Sequence, residues 1–266
     1  MVTLAGIFPP SQPPEQIGPV AAAADAAGLA QLWVWEDCFE ESGIATATAM
    51  LATTSRLPVA IGLLPVPLRN VALTAMELAT LARLFPGRLT AGIGHGVLDW
   101  MSQVGARAES PLTLLREYTA ALSALLHGET VTAHGRYVHL EEVTLGWPPA
   151  VVPPLLVGGV RPRTVSLAGE LADGVIISSG PSAEEIRATA GQFQAARAGA
   201  ARAGGTGDVV VFTSVPAASP ATDIAAVVSE YAAAGATHVA VNADEDDADL
   251  VRFVELLARE VRPLLG

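Results

Sequence analysis

Hydrophobic residues along this chain fall into short apolar runs that alternate with longer segments of helical periodicity. The apolar runs end at glycine, proline or polar residues, which is typical of strands buried on both faces of a parallel sheet. Between them, apolar residues recur on one helical face, as in Leu115, Leu122 and Leu126. The pattern predicts strands over residues 3–8, 31–35, 57–64, 89–93, 155–157, 174–177, 208–215 and 237–241.

Strand and helix alternate strictly from the first predicted strand to the last. This order predicts a (β/α)8 TIM barrel, a fold that needs roughly 250 residues. We therefore expect the 266 residues to form a single domain over residues 1–266. Residues 129–147 interrupt the order, because β-forming residues alternate there around His134-Gly135. This segment predicts a β-hairpin insertion between helix four and strand five.

Residues 153–180 combine two buried strands, a glycine pair and the start of a helix. Gly158 and Gly159 follow the first of these strands, and Pro162 suits the first turn of the helix. Glycines at such a junction leave the backbone N–H groups open to an anionic ligand such as a phosphate. From these residues alone, the glycine pair fits a simple chain reversal equally well.

Composition limits the class of protein. Hydrophobic residues make up 51% of the chain and charged residues 16%. No apolar run reaches the roughly 20 residues of a membrane span, and the first residues lack the charged and apolar regions of a signal peptide. Cys38 is the one cysteine of the sequence, which fits a reducing compartment. We therefore expect a soluble, cytoplasmic protein without a membrane partner.

Charge narrows the choice of ligands. The formal net charge of −12 argues against binding to nucleic acid or to an anionic membrane surface. The sequence contains no lysine, which excludes Schiff-base chemistry and with it pyridoxal phosphate enzymes. An anionic ligand must therefore be held by local groups. Arg161 and Arg163, just after the glycine pair, suit that task, and surface ion pairs are the alternative for both.

Three candidate catalytic residues follow predicted strands at their carboxyl ends, where barrel enzymes work. Glu36 and Asp37 follow strand two, and His95 follows strand four. Neighbouring residues of a strand point to opposite faces, so at most one carboxylate is expected to face the interior. His95 can move a proton near neutral pH, whereas many single histidines are structural. The residue types and their spacing predict no metal site.

Two stretches of the chain carry a family resemblance. Residues 56–96, RLPVAIGLLPVPLRNVALTAMELATLARLFPGRLTAGIGHG, and residues 153–180, PPLLVGGVRPRTVSLAGELADGVIISSG, resemble the luciferase-like monooxygenases. These are flavin- and coenzyme F420-dependent (β/α)8 enzymes, and the likeness covers nearly the whole chain. The resemblance implies an oxidoreductase that binds F420 or, alternatively, FMN.

The resemblance also implies a set of cofactor-binding residues. A non-proline cis peptide between Gly62 and Leu63 is expected to form a bulge behind the cofactor ring, with an ordinary trans strand as the alternative. The cofactor phosphate is expected beside the loops after strands five and six. The implied residues are Gly62, Leu63, Gly94, His95, Gly96, Gly158, Gly159, Val160, Arg161, Ser178, Ser179 and Gly180.

The sequence departs from the family pattern at two positions. Asp37 stands where several relatives have a catalytic histidine, and Val97 stands where some have a glutamate. We still predict catalytic roles for Glu36, Asp37 and His95, but a sugar phosphate substrate does not follow from the resemblance.

Together these inferences predict F420-dependent hydride transfer to or from a small organic substrate. The alternatives are an FMN-dependent monooxygenase, a non-catalytic cofactor-binding barrel and an unrelated phosphosugar isomerase. The resemblance further implies a homodimer, and the alanine-rich helices near residues 44–54 and 71–84 fit an apolar interface.

Overall fold

The computed structural model of this protein describes residues 2–178, 180–200, 207–244 and 248–266. Its strands are β1 (Thr3–Phe8), β2 (Leu32–Val34), β3 (Val59–Pro65), β4 (Leu89–Gly94), β5 (Val131–His134), β6 (His139–Val143), β7 (Leu155–Gly158), β8 (Gly174–Ile177), β9 (Asp208–Val215) and β10 (His238–Ala243). Eight of them close into a parallel barrel in the order β1-β10-β9-β8-β7-β4-β3-β2. The predicted TIM barrel is confirmed.

Helices follow the barrel strands and cover the outside of the barrel. They are α1 (Ile17–Ala27), α2 (Gly43–Thr53), α3 (Val71–Leu84), α4 (Leu98–Gln103), α5 (Pro111–Leu126), α6 (Pro162–Leu171), α7 (Ala183–Gly199), α8 (Ala221–Ala233) and α9 (Leu250–Leu256). Short 3₁₀ segments occur at Pro14–Gln16, Val66–Leu68 and Arg262–Leu265, and a π-helical segment at Leu257–Val261. None of the described helices has both the length and the apolar character that crossing a membrane requires.

The two faces of the barrel strands bury different sets of side chains. The interior is filled by Ala5, Ile7, Trp33, Ala60, Leu156, Ile176, Val210, Phe212 and Ala240. Residues between these positions, such as Leu4, Val34 and Ile61, face the helices in a second and larger cluster. Because side chains fill the inside, the barrel is a packed core, and ligand space is found where the strands end.

Local chemistry sets several helix ends. The side chains of Ser42, Asn70, Ser182 and Asp249 accept hydrogen bonds from backbone N–H groups at the starts of α2, α3, α7 and α9. Ser182 and Glu185 form a reciprocal capping box, as the sequence predicts. α6 lacks any such cap: its N-cap residue is Arg161, and no side chain bonds its first N–H groups.

Four features depart from the regular alternation of strand and helix. α4 was not predicted; it follows Gly96, whose φ of +68° turns the chain after β4. The antiparallel pair of β5 and β6 lies between α5 and β7. Along β3, the pairing with β4 shifts register between Ile61 and Leu64, and the Gly62–Leu63 peptide bond is cis, as expected from the resemblance. A second non-proline cis bond, Cys38–Phe39, was not expected.

Candidate active site

A cavity of about 940 Å³ opens at the carboxyl ends of the barrel strands. Its volume lies in the upper part of the range for small-molecule sites. The predicted site residues that line it are Glu36, Asp37, Gly62, Leu63, His95, Gly96, Gly158, Gly159, Val160, Ser178 and Gly180. Gly94 and Arg161 do not line the cavity, and Ser179 lies outside the described residues.

Leu63 explains two of the glycines. A β-carbon at Gly94 would lie 2.7 Å from Cδ2 of Leu63, and one at Gly158 would overlap the same methyl group. A β-carbon at Gly159 would instead collide with Thr164. The clearance at these positions therefore serves side chains of the protein, and Gly158 and Gly159 also line the cavity, so their expected role in binding a ligand stays a prediction. The bulge in β3 directs the side chain of Leu63 to the cavity, where a ligand would contact it.

Glu36 is held by a set of hydrogen bonds. Its carboxylate forms a two-point ion pair with Arg69, with a distance of 2.8 Å from Oε2 to Nη2, and Oε2 also accepts the Gly43 N–H at 2.8 Å. Both charged side chains are largely buried, at 8% and 15% exposure. These contacts connect the two ends of the loop between β2 and α2, so we interpret Glu36 as the residue that positions this loop.

Asp37 occupies a different environment. It lines the cavity, and no arginine pairs with it among the described residues. Burial raises the pKa of its carboxyl above the ordinary value, and the neighbouring charge of Glu40 acts in the same direction, while a hydrogen bond from the Trp35 side chain opposes the shift. Of the two adjacent carboxylates, Asp37 is therefore the one suited to proton transfer.

His95 lies at the end of β4, facing the start of α6. Its Nε2 lies 3.2 Å from Oγ1 of Thr164, and Nδ1 is buried without a hydrogen-bond partner in the described part of the chain. Burial lowers the pKa of His95, the Arg161 charge lowers it further, and the backbone of Pro111 opposes the shift. These surroundings favour the neutral form of the imidazole.

The N-terminus of α6 is positively charged and open. The N–H groups of Val160 and Arg161 donate no hydrogen bond within the described ranges. The exposed side chains of Arg161 and Arg163 add two cations where the helix dipole is already positive, and the first turn contains no acidic residue. Ser178 and Gly180 line the neighbouring edge of the cavity. The arrangement is suited to bind an anionic group.

Sequence reasoning missed the aromatic part of the cavity. Trp35, Trp100 and Phe212 line it, together with Asn242, whose buried Oδ1 makes no hydrogen bond in the described residues. The ring centroids of Trp35 and Phe212 lie 5.9 Å apart. The position of Trp35 at a strand end was an available signal, whereas Trp100 required knowledge of α4. Within the described residues, no three His, Cys, Asp or Glu side chains cluster as metal ligands would.

The chain is similar to known proteins in sequence and in fold. The family profile described as luciferase-like monooxygenase matches residues 2–261. The chain is 29% identical over 172 residues to 5,10-methylenetetrahydromethanopterin reductase from Methanolobus tindarius, a match that covers 65% of this chain and 52% of that protein. It is 34% identical over 148 residues to F420-dependent glucose-6-phosphate dehydrogenase from Beutenbergia cavernae, covering 51% and 42%. The matches thus span about half the length of these curated relatives, or less.

One solved structure illustrates the likeness in fold. An F420-dependent secondary alcohol dehydrogenase in complex with an F420–acetone adduct superposes with a TM-score of 0.89, over 100% of both chains. The sequence identity is 17%, so this likeness shows the shared barrel fold.

Proposed function

This chain belongs to the luciferase-like monooxygenase family, and from that premise we propose that it is an oxidoreductase that binds coenzyme F420 and transfers a hydride to or from a small organic substrate. The observation that carries the proposal is the uncapped, cationic N-terminus of α6, beside a cavity bounded by the β3 bulge. The F420-dependent relative from Beutenbergia cavernae supports this choice of cofactor.

The residues present fit a cofactor with a phosphate-bearing tail. The free N–H groups of Val160 and Arg161 and the arginine side chains at the start of α6 would hold the phosphate, with the hydroxyl of Ser178 opposite. Leu63 would support the flat ring, and Gly94 and Gly158 would contribute indirectly by making room for Leu63. F420, with its phosphodiester and glutamate tail, matches these groups.

In this proposal, the bound cofactor supplies the hydride chemistry and the protein supplies the proton. Asp37 lines the cavity and, with its raised pKa, would donate a proton to a substrate oxygen or accept one from it. The hydrogen bond between Nε2 of His95 and Oγ1 of Thr164 would fix the imidazole ring, which would bind a polar atom of the ligand. Glu36 would act by holding the loop that carries Asp37.

A binding titration tests the anion site. We expect F420 to bind more tightly than the deazaflavin ring without its tail, because only the tail contacts α6. Arg161→Ala should weaken F420 binding by about tenfold and leave binding of the tailless ring unchanged. Arg187→Ala, at an exposed arginine on α7 away from the cavity, is the matched control. Equal affinities of F420 and the ring fragment would contradict the proposal.

An FMN-dependent monooxygenase is the second candidate, because the chain belongs to the luciferase-like monooxygenase family. FMN and riboflavin differ only in the phosphate. The difference in their affinities, measured in parallel titrations, therefore reports whether the N-terminus of α6 binds that phosphate. Tight FMN binding with oxygen consumption by the reduced complex would favour this candidate. Failure of both cofactors to bind at high micromolar concentration would instead indicate a non-catalytic barrel.

We also propose that the protein is a homodimer that pairs through α3. Leu73, Met76 and Leu84 on the outer face of this helix are 46%, 58% and 64% exposed. Several large apolar side chains on one exposed face are typical of an interface. Met76→Glu should convert the dimer into a monomer in light scattering after size exclusion, and a wild-type monomer would contradict the proposal.

A further inference from the structure

The ends of β9 and β10 give the cavity a polar, uncharged wall. Phe212 and Ala240 fill the barrel interior, and side chains alternate along a strand, so Ser214 and Asn242 face inward two residues later. Ser214 and Asn242 are also partners in the register of β9 with β10. Both line the cavity, together with Thr213. We call Thr213, Ser214 and Asn242 the β9–β10 wall.

Asn242 brings an unmet acceptor to this wall. Its Oδ1 is buried, and no donor of the described residues reaches it. A buried acceptor without a partner is unfavourable, so a donor that pairs with Oδ1 contributes more than an ordinary surface hydrogen bond. The side chain as a whole is half-buried and lines the cavity. Rotation about the bond to the carboxamide exchanges Oδ1 and Nδ2, so that either atom can be turned to a ligand.

The β9–β10 wall stands across the barrel from the surface proposed for the cofactor. In the closed order of the strands, β9 is four positions from β3 in both directions, and β10 is four positions from β4. Leu63 on β3 would support one face of the cofactor ring, so the other face would be directed at β9 and β10. A group that reacts with the ring from this side would lie between the ring and the β9–β10 wall.

The chemistry of a carboxamide restricts the group that fits. The side chain of Asn242 has an acceptor oxygen and an N–H donor side by side in one plane. An N–H group beside a carbonyl oxygen matches this edge with two parallel hydrogen bonds, just as asparagine binds the donor and acceptor edge of adenine. A ketone satisfies the donor and leaves Oδ1 unpaired. The three side chains of the β9–β10 wall are neutral, which favours an uncharged group.

Resting on the proposed function, we propose that the β9–β10 wall is the substrate subsite and that Asn242 selects an uncharged substrate that carries an amide. Oδ1 of Asn242 accepts the amide N–H, and Nδ2 donates to the amide carbonyl oxygen. The hydroxyl groups of Thr213 and Ser214 supply further donors and acceptors beside this pair. The amide serves recognition, and the bond that is oxidised or reduced lies elsewhere in the substrate.

The test compares three six-membered rings in NMR titrations of the protein, both free and saturated with F420. We expect 2-piperidone, a cyclic amide, to bind about tenfold more tightly than N-methyl-2-piperidone or cyclohexanone, because these two lack the N–H group. Asn242→Ala should remove this preference. Asn70→Ala is the matched control, since the other asparagine of the chain caps α3 and does not line this cavity. The Asn70→Ala variant should keep the preference in full.

The outcomes separate this proposal from the proposed function. Equal affinities of the wild type for the three rings, or no saturable binding of 2-piperidone, overturn the substrate class. A preference that persists in Asn242→Ala overturns the role of Asn242. If F420 displaces 2-piperidone, the β9–β10 wall binds the cofactor and the substrate subsite is wrong, whereas simultaneous binding supports it. Failure of F420 to bind overturns the proposed function, and the free protein still reports whether Asn242 selects an amide.

Discussion

The carboxylate of Glu36 and the guanidinium of Arg69 form a two-point ion pair at the start of the loop between β2 and α2. The same carboxylate accepts the N–H of Gly43, the first residue of α2. One buried acid therefore connects both ends of the loop that carries Asp37. We therefore interpret Glu36 as a residue that positions this loop.

This ion pair makes a prediction about stability. Arg69→Ala leaves the Glu36 charge buried without its partner, so the free energy of unfolding should fall by about 3–5 kcal/mol. Urea denaturation measures this loss. Arg56→Ala removes an exposed arginine, 4.0 Å from Asp25, and should cost less than about 1 kcal/mol. If Glu36→Gln and Arg69→Ala simply add in the double variant, the two side chains are not coupled.

The contact between Leu63 and Gly158 predicts a steric effect. Gly158→Ala places a methyl group where the Leu63 side chain lies, so we expect a loss of about 1–3 kcal/mol in stability and weaker cofactor binding. Adding Leu63→Ala should restore most of the stability, because it removes the colliding atoms. Gly191→Ala is the control, since a β-carbon there meets nothing within 4 Å inside α7. That variant should gain about 0.5–1 kcal/mol.

The environment of Asp37 predicts the pH dependence of substrate reduction in the proposed reaction. The proton donor must be protonated, so kcat should fall as pH rises through the raised pKa of this carboxyl, which lies above the ordinary 3.8. Asp37→Asn should lower kcat by about 10²-fold or more and remove this limb of the profile. The pKa of His95 is lowered from the ordinary 6.5, so any effect of His95 protonation on kcat should occur at more acidic pH. If the Asp37→Asn variant keeps the same fall of kcat with rising pH as the wild type, another group donates the proton.

Glu41 predicts a pH dependence of stability. Burial, with the nearby charge of Glu40, raises its pKa from 4.5 to about 6, and its Oε1 is buried without a hydrogen bond in the described residues. The folded state therefore binds this proton more tightly than the unfolded state. Its contribution to stability is present below pH 4.5 and is lost as pH rises through about 6. Glu41→Gln should remove this pH dependence, which amounts to about 1 kcal/mol or less in the free energy of unfolding after solvent screening. Melting temperatures measured across this pH window check the prediction. Identical profiles for the variant and the wild type would show that Glu41 is not the titrating group.

The sequence alone determined the architecture of this protein. Apolar runs, glycine and proline boundaries and helix caps are local signals, and their strict alternation was enough to predict the closed barrel and the placement of Glu36, Asp37 and His95 at its carboxyl ends. The sequence also indicated that the glycines near the site matter, but it did not show which side chains require the absence of a β-carbon there. Gly158 and Gly159 look alike in the sequence, yet one clears Leu63 and the other clears Thr164.

Only the tertiary structure decided which side chains meet. Arg69 lies 33 positions from Glu36 and Thr164 lies 69 positions from His95, and no local pattern encodes either contact. Trp100 enters the cavity on a helix too short and too poorly capped to be predicted. Periodicity is set by neighbours along the chain, so it can be read from the sequence. The chemistry of the cavity depends on distances between residues across the barrel, and these distances are set only when the chain has folded into the closed barrel.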